Sequence, residues 1–583
     1  MEMKYITCLF YDTSPSTKQN TKQKQAGVSI QTLSLSLSFS KPSILLHQSI
    51  PTLPLSSRPL NLNFCLMSHE FATMALGAIV AAYLFLQALL HFTQDAKEPP
   101  AVSFSIPFLG PIFGMITQKS KFYNNLRNKH GYPVYTLRLP GSRLYIINST
   151  ALIPVAQRQF KTLAFGPIEA RAAENVMGAS KAAIAIMTKD MVADHGYLST
   201  FTKAIHPALS PGPGLDAMNN VSVQTIAAAL EQMGTQPRHV KMFEWIRHEI
   251  FMATTDGVYG PQNPLRDPAV EAAWYEFEPT IVVFLINLFP KLLAPKAHKA
   301  REVVVAALKQ YYQDGGHLNA SELAKARYEH NVSHKIPPED IARTEVGNIF
   351  ATIGNTAPAS FWVIYHIYSD PTILEDCRQE IASIVREDGN IRTIDIANVK
   401  AACPKLLSTL QEVMRFHGTG ISARVVLEDH MLDGRYLLKK GNTLMIPGPV
   451  QHTLRDVWGD DVDEFHYKRF VRSSHQKRPN PVAFRGFGGG TVLCPGRHFA
   501  STEILAFVAL MMMRFDIRPM GGGKWIRPGT EKAPPSASVA PPDVDLEVEL
   551  IPKCTTYEWH VSFSGSDKAM EIAAEDIEGS IEK

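Results

Sequence analysis

The stretch that decides the fold runs from Phe487 to Arg497 and reads Phe-Gly-Gly-Gly-Thr-Val-Leu-Cys-Pro-Gly-Arg. Glycines let the backbone approach something large and flat, and an apolar run with helical period follows the stretch. A helix N-terminus offers free N–H groups that favour a thiolate, so we expect a lowered pKa for Cys494. The stretch therefore predicts a loop that delivers a metal-binding cysteine to the start of a helix.

Other sites built on this cysteine fit the sequence less well. A zinc site could use Cys494 and His498, but two further ligands at suitable spacing are missing from the sequence. A phosphate-binding loop needs Gly-x-Gly-x-x-Gly or Gly-Lys-Ser/Thr, and neither pattern is present in the stretch. A purely structural cysteine is also possible, since a second Cys-Pro pair stands at Cys403. The complete string, rather than the cysteine alone, has to distinguish these sites.

Phe487, Gly490, Cys494 and Gly496 match the F-x-x-G-x-x-x-C-x-G haem-binding loop of the cytochromes P-450, which this sequence resembles from about residue 100 to residue 563. The resemblance implies a mainly α fold with small β-sheets, haem b as cofactor and Cys494 as the axial ligand of the haem iron. One departure stands at Val492, where the family often has an arginine or histidine for a haem propionate. The propionate contacts must therefore come from elsewhere in the chain.

A Glu-x-x-Arg pair at Glu412 and Arg415 places an acid and an arginine on one helical face. The same spacing occurs at two other places, Glu244/Arg247 and Glu375/Arg378, where an exposed surface pair is the simpler interpretation. The pair at 412 lies 82 residues before the cysteine, with Arg469 in between. It resembles the family's structural cluster, so we expect Glu412, Arg415 and Arg469 to meet.

Arg424 follows this pair by nine residues. It resembles the family arginine that forms a charge-assisted hydrogen bond with a haem propionate. With a valine at 492, Arg424 is the first candidate for that role. The alternative is an exposed arginine at the start of a strand.

A long helix is predicted from Pro338 to about Ser369, with Gly354 and Pro358 inside it. Both residues are unfavourable in a helix interior, by roughly 1 and 3 kcal/mol, so a local distortion is expected there. One interpretation is a kinked core helix with a threonine bonded back to the preceding turn. The resemblance implies instead a site over the haem at Gly354, Asn355 and Thr356, in which Asn355 replaces the family's usual acid.

The Gly-Asn-Thr stretch at 354–356 is most similar to the branch that contains sterol 7α-hydroxylase and prostacyclin synthase. The resemblance implies a monooxygenase that oxidises an apolar small molecule with O₂ and with electrons from NADPH, delivered by a flavoprotein reductase. Because this branch includes enzymes that use no oxygen, a haem-thiolate isomerase or dehydratase is the first alternative. A non-catalytic haem-binding sensor is the second.

Four basic residues near the loop are candidates for a reductase-docking surface, and a solvated basic face explains them equally well: Lys477, Arg478, Arg485 and Arg497. Over the whole chain the formal net charge is only +3, and charged residues make up 19%. That balance excludes a nucleic-acid-binding protein. The six cysteines are scattered without a Cys-x-x-Cys pair, which argues against a disulfide scaffold.

The N-terminal part of the chain predicts a membrane protein. Residues 1–66 form a low-complexity leader that resembles a transit peptide or lies upstream of a true start at Met67. Residues 71–92 are uncharged, apolar and long enough to span a bilayer, and residues 93–114 form a Pro/Gly-rich linker. Basic residues after the anchor predict a cytosolic catalytic domain over 115–563, in the endoplasmic reticulum membrane rather than in mitochondria. An acidic, disordered tail is expected over 564–583.

Overall fold

The computed structural model describes residues 62–287, 289–472, 479–553 and 556–565, together with Ala573 and Asp576. Nearly all of the predicted leader, and most of the predicted tail, therefore lie outside the described residues. The chain divides into two compact units, of which the smaller ends at Phe85 and the larger begins at Leu86. The predictions of a low-complexity leader and of a disordered tail therefore stay predictions.

The N-terminal helix α1, Leu62–Thr93, contains one apolar stretch of 21 residues, Thr73–Thr93, whose mean hydropathy reaches 2.0 over 18 residues. A helix needs about 20 apolar residues to cross a bilayer, so this stretch is long enough by length and composition. Its large side chains, such as Met74 and Phe85, are mostly exposed. The helix thus covers the segment predicted as a membrane anchor.

The larger unit is mainly helical. Its first helices are α2 (Gly110–Gln118), α3 (Ser120–His130), α4 (Leu152–Arg158), α5 (Gly166–Ala172), α6 (Lys181–Thr188), α7 (Tyr197–Leu209), α8 (Pro213–Gln232), α9 (Met242–Tyr259), α10 (Pro268–Phe277) and α11 (Ile281–Leu285). The next are α12 (Pro290–Leu293), α13 (Pro295–Gln313), α14 (Glu322–Ser333), α15 (Pro338–Ile353), α16 (Thr356–Ser369), α17 (Pro371–Ala382), α18 (Val399–Ala402), α19 (Pro404–Phe416), α20 (Gly448–His452), α21 (Arg455–Trp458) and α22 (Arg497–Arg514). Since α2 begins at Gly110, the predicted linker becomes helical before its end.

Helices α16 and α22 lie at the centre of the largest apolar cluster, which α8 and α9 also join. Both central helices are apolar on almost every side, with Trp362 and Phe507 fully buried. A helix that is hydrophobic all round belongs inside a protein rather than on its surface. The sequence after Cys494 therefore forms a central helix, and the loop that precedes this helix is attached directly to the core.

Small β-sheets complete the unit. The strands are β1 (Val134–Leu139), β2 (Ser142–Ile147), β3 (Leu163–Ala164), β4 (Arg238–Lys241), β5 (Arg386–Asp388), β6 (Ile391–Asp395), β7 (Ile421–Val426), β8 (His430–Leu432), β9 (Tyr436–Leu438), β10 (Thr443–Pro447), β11 (Phe515–Pro519), β12 (Glu547–Pro552) and β13 (Glu558–Ser562). The largest sheet has the order β1-β2-β10-β7-β3, and β1 and β2 form an antiparallel hairpin. Two three-stranded sheets have the orders β11-β12-β4 and β13-β6-β5, and β8 pairs with β9. The prediction of a mainly α fold with small sheets is confirmed.

Candidate active site

The loop before α22 closes on itself through backbone hydrogen bonds. The Cys494 N–H donates to the carbonyl of Phe487 at 2.8 Å, and Phe487 itself packs against the main apolar cluster. Gly488 and Gly490 have φ values of 79° and 60°, a left-handed backbone that glycine adopts without strain. A Cβ at Gly488 would also meet the carbonyl of Val492. Glycine is therefore required at 488 and 490 by the turn that carries the cysteine.

Cys494 lies two residues before Gly496, the N-cap of α22. Burial raises the pKa of its thiol, while the Gly496 N–H and the charge of Arg497 act in the opposite direction. The sequence-based expectation of a lowered pKa is thus wrong for the protein alone, because desolvation outweighs the helix terminus. A positively charged metal ion would favour the thiolate at such a site.

Arg424 lies on β7 and is only 1% exposed. Its Nη2 is 3.4 Å from the Thr491 hydroxyl, and its Nε and Nη1 have no hydrogen-bond partner among the described residues. Burial alone lowers the pKa of its guanidinium. A buried cation without an anion is costly, so this site fits a ligand that carries a carboxylate, as haem does.

Two residues near the loop, Arg485 and Gln157, were not predicted from the sequence as partners of a carboxylate. Arg485 was interpreted as a surface residue, yet it is only 8% exposed, and its backbone N–H donates to His452 Nε2 at 2.9 Å. Gln157, on α4, has a buried Nε2 without a hydrogen-bond partner in the described part of the chain. The one available signal was the position of Arg485, two residues before the Phe487 of the motif.

The structure brings Glu412, Arg415 and Arg469 together as expected. Arg415 donates to both carboxylate oxygens of Glu412 at 2.7 Å, and Arg469 Nε donates to the same carboxylate at 3.2 Å. Arg415 also donates to the carbonyls of His452 and Val462. Because all three charged side chains are buried and their donors are filled, the cluster ties α19 to the segment before the loop.

The long predicted helix is two helices, α15 and α16, separated at Gly354 and Asn355. Pro358 has no N–H and cannot donate to the Gly354 carbonyl, which accounts for the break at this point. Asn355 Oδ1 accepts hydrogen bonds from the backbone N–H groups of Ser538 and Val539, at 2.8 and 3.2 Å. The asparagine therefore fixes the 538–539 segment against the break.

Thr356 is 4% exposed, and its hydroxyl donates to the Thr352 carbonyl at 3.3 Å. This is the back-bonded threonine of a kinked helix, which the sequence analysis considered as an alternative. The bond is long for a hydroxyl donor, whose usual O···O distance is about 2.7–2.8 Å. The hydroxyl can therefore exchange this acceptor for a closer one at low cost.

An apolar cavity of ≈ 160 Å³ adjoins the break. Its walls include Phe251, Phe350 and Pro358, with Arg247 and Glu278 as its charged residues. Burial raises the pKa of Glu278 to about 7, and the charge of Arg247 opposes this shift. The cavity is chemically suited to a largely apolar molecule.

The predicted basic docking surface differs from the structure. Lys477 and Arg478 lie outside the described residues, and Arg485 is buried. Arg497 donates through Nε and Nη2 to the carboxylate of Asp576, at distances of 2.5–3.1 Å. Asp576 belongs to the segment expected to be disordered, but here its carboxylate is only 5% exposed because it pairs with Arg497. Neither described member of the predicted surface is a free surface charge.

The family model for cytochrome P-450 matches residues 99–543. A cytochrome P-450 monooxygenase of Hypoxylon pulicicidum, nodJ, is 38% identical over 470 residues, which cover 78% of this chain and 90% of that protein. A cytochrome P-450 monooxygenase of Gibberella zeae is 27% identical, with coverages of 82% and 92%. Cholesterol 7-alpha-monooxygenase of Cricetulus griseus is 22% identical, with coverages of 73% and 88%. The expected similarity to the sterol 7α-hydroxylase branch is confirmed.

Proposed function

Because the chain belongs to the cytochrome P-450 family, we propose that it is a membrane-anchored haem-thiolate monooxygenase that oxidises an apolar small molecule. The relatives named above are monooxygenases, which makes the chain an enzyme rather than a sensor. The observation that carries the proposal is the cysteine loop, in which Thr491, three residues before Cys494, lies 3.4 Å from the buried and incompletely paired Arg424 of β7. A thiol can ligate the haem iron, and a buried cation can bind a propionate of haem b.

Residues of the loop would hold the cofactor. Cys494 would ligate the iron as a thiolate, while Phe487 and Gly490 keep the turn in its shape. Gly496 is the N-cap of α22, two residues after the cysteine, and Arg424 of β7 would bind a propionate. When bound, haem supplies the activation of O₂ and the electron transfer that no side chain can provide. The protein contributes the ligand, the apolar cavity and the groups that carry protons.

The break between α15 and α16, which lines the apolar cavity, would supply a group that holds a proton. We assign to Thr356 the role of holding a proton. Its hydroxyl can turn from the Thr352 carbonyl toward a bound molecule. Gly354 and Asn355 would act by keeping the break open, since Asn355 anchors the 538–539 segment beside it. This arrangement supplies no carboxylic acid at position 355.

Membrane attachment and electron supply complete the proposal. The apolar stretch Thr73–Thr93 would anchor the chain in the endoplasmic reticulum membrane, with the larger unit in the cytosol. At the end of α1, Arg138 donates to the Thr93 hydroxyl and to the Gln94 side chain, which ties the helix end to β1. Electrons would come from NADPH through a flavoprotein reductase.

The test of the haem assignment is Cys494→Ser, with Cys403→Ser as the matched control because that cysteine is also a free thiol and also precedes a proline. We expect the reduced, carbon-monoxide-treated parent and the control to show the red-shifted band of a thiolate-ligated haem. The Cys494→Ser variant should lose this band entirely. Persistence of the band in that variant would refute Cys494 as the ligand.

A second function, an isomerase or dehydratase that acts on an oxygenated lipid without a reductase, is favoured by one observation. Position 355 carries an amide whose oxygen is already bonded to two backbone N–H groups, so it offers no acid for oxygen chemistry. Substrate turnover by the purified protein with and without NADPH distinguishes the two functions. Strict dependence on NADPH and O₂ eliminates the isomerase.

A further inference from the structure

Three hydrogen-bond donors from distant parts of the chain converge on the cysteine loop. Arg424 comes from β7, Gln157 from α4, and Arg485 from the segment just before the loop. We name these three residues the donor cluster. All three meet one short stretch of the loop, residues 489–491.

The donor cluster surrounds 489–491 closely. The Arg485 guanidinium occupies the space that a Cβ at the first of these residues would need, and the Gln157 amide does the same at the second. Arg424 Nη2 lies 3.4 Å from the hydroxyl of the third, Thr491. Side chains at 489 and 490 would therefore push the arginine and the amide away from the loop.

The donor cluster carries two positive charges, and no carboxylate is hydrogen-bonded to Arg424 or Gln157 among the described residues. Nε and Nη1 of Arg424 and Nε2 of Gln157 are buried without an acceptor. Leaving such donors unsatisfied is costly, and native proteins rarely do so unless something else supplies the acceptor. The propionate carboxylates of haem would supply the acceptors that Arg424 and Gln157 lack.

Val492 leaves its position in the loop without a side-chain donor for a propionate. Its side chain has no donor, although the family often places one at that position for a propionate. Arg485 stands seven positions earlier in the chain, yet its side chain returns to the loop and is 8% exposed. His452 accepts a hydrogen bond from the backbone N–H of Arg485, which fixes the main chain at the point where this side chain turns back to the loop.

We propose that Arg485 and Gln157 join Arg424 in binding the haem propionates, and that Arg485 replaces the donor missing at Val492. The inference rests on the haem assignment of the proposed function. It adds two residues that neither the loop motif nor the Glu-x-x-Arg pattern identifies. It also gives the glycines at 489 and 490 a second task, since they leave room for the donors.

The test compares Arg485→Gln and Gln157→Leu with the parent, all as full-length, haem-loaded chains in detergent. The first readout is the rate at which haem transfers to an excess of apomyoglobin. We expect Arg485→Gln to lose haem roughly tenfold faster, which corresponds to ~1.4 kcal/mol, and Gln157→Leu a few-fold faster. The second readout is the reduction potential of the iron. Loss of the Arg485 charge should make it more negative, whereas Gln157→Leu should leave it nearly unchanged.

Arg138→Gln is the matched control, because Arg138 is also a buried arginine but contacts Thr93 and Gln94 instead of the loop. It should keep the parent's haem-loss rate and potential. If Arg485→Gln does not fold, Arg485→Lys and Gln157→Leu decide, with a faster haem loss expected for both. The inference is overturned if every folded variant of Arg485 and Gln157 keeps the parent's rate and potential. If the parent itself lacks the thiolate carbon-monoxide band, the haem assignment fails instead.

Discussion

Two groups of buried arginines in this protein look alike by exposure and differ in what surrounds them. Arg415, in the Glu412 cluster, is 2% exposed and has every donor engaged by Glu412 and by backbone carbonyls. Arg424, in the donor cluster, is 1% exposed and has two nitrogens without an acceptor in the described chain. Burial therefore does not separate an arginine that holds the fold from one that binds a ligand. The set of acceptors separates them.

Removing the acid of the Glu412 cluster should have the largest effect. Glu412→Gln leaves Arg415 and Arg469 buried without their shared carboxylate, and breaking a buried pair costs roughly 3–5 kcal/mol. We expect the urea midpoint of the detergent-solubilised chain to fall steeply, or folded protein to fail to accumulate. Glu244→Gln is the control, because this acid has the same spacing to an arginine but a side chain that is 66% exposed. Its midpoint should stay at the parent's value, and an equal loss in both variants would contradict the comparison.

Replacing Arg424 should produce the opposite pattern. Arg424→Leu removes a buried charge that lacks an anion, so the free energy of unfolding of haem-free protein should not fall. The haem content of the purified variant should drop several-fold, since a charge-assisted hydrogen bond to the cofactor is lost. Haem absorbance per polypeptide and urea unfolding measure the two effects separately. A stability loss as large as that of Glu412→Gln would show that Arg424 is structural.

The difference between the clusters also marks the limit of the sequence analysis. Glu412, Arg415 and Cys494 were predictable because short spacings within one helix or one loop encode them. The helix break was predictable at Gly354 and Pro358 because both residues disfavour helix interiors. The split into two helices and the use of Asn355 as an anchor for the 538–539 segment were not. They depend on a strand-like segment that arrives from far along the chain.

Arg485 and Gln157 show why the rest could not be predicted. Gln157 lies more than three hundred residues before the cysteine, and only the packing of α4 against the loop brings the two together. Arg485 was close in sequence, but arginines outside regular structure are mostly exposed, so a surface role was the natural interpretation. Whether a charged residue turns inward is decided by tertiary contacts, which a motif does not contain.

Glu503, a buried acid on α22, differs from both arginine clusters, and its replacement should change stability less than Glu412→Gln does. Glu503 is 1% exposed and accepts hydrogen bonds from the hydroxyls of Ser222 and Thr254, with no cation among these partners. Burial raises its pKa to about 7, and the two hydroxyls oppose the shift. Below about pH 7 the protein thus avoids a buried charge here, because the folded chain keeps the acid protonated.

This acid predicts a pH dependence of stability with a definite sign. Above about pH 4.5 an unfolded chain releases the Glu503 proton, whereas the folded chain retains it until about pH 7. Stability should therefore fall as pH rises through this window and then level off. Glu503→Gln should be more stable than the parent at pH 8, by about 3 kcal/mol, and similar to it at pH 4.5. Urea unfolding at both pH values measures this, with the exposed Glu547→Gln as control. Equal profiles for Glu503→Gln and the parent would refute the assignment.

The sheet order β11-β12-β4 has a consequence for synthesis of the chain. Strand β4 emerges from the ribosome about 300 residues before its partner β12, a delay of roughly 15–60 s at 5–20 residues per second. During that time β4 is an open strand edge, which invites pairing with other chains. Its sequence is Arg-His-Val-Lys, and basic side chains along an edge oppose such pairing. Pairing with β12 covers only one side of β4, which stays at the edge of its sheet, so its charges oppose wrong pairing in the folded protein as well as in the nascent chain.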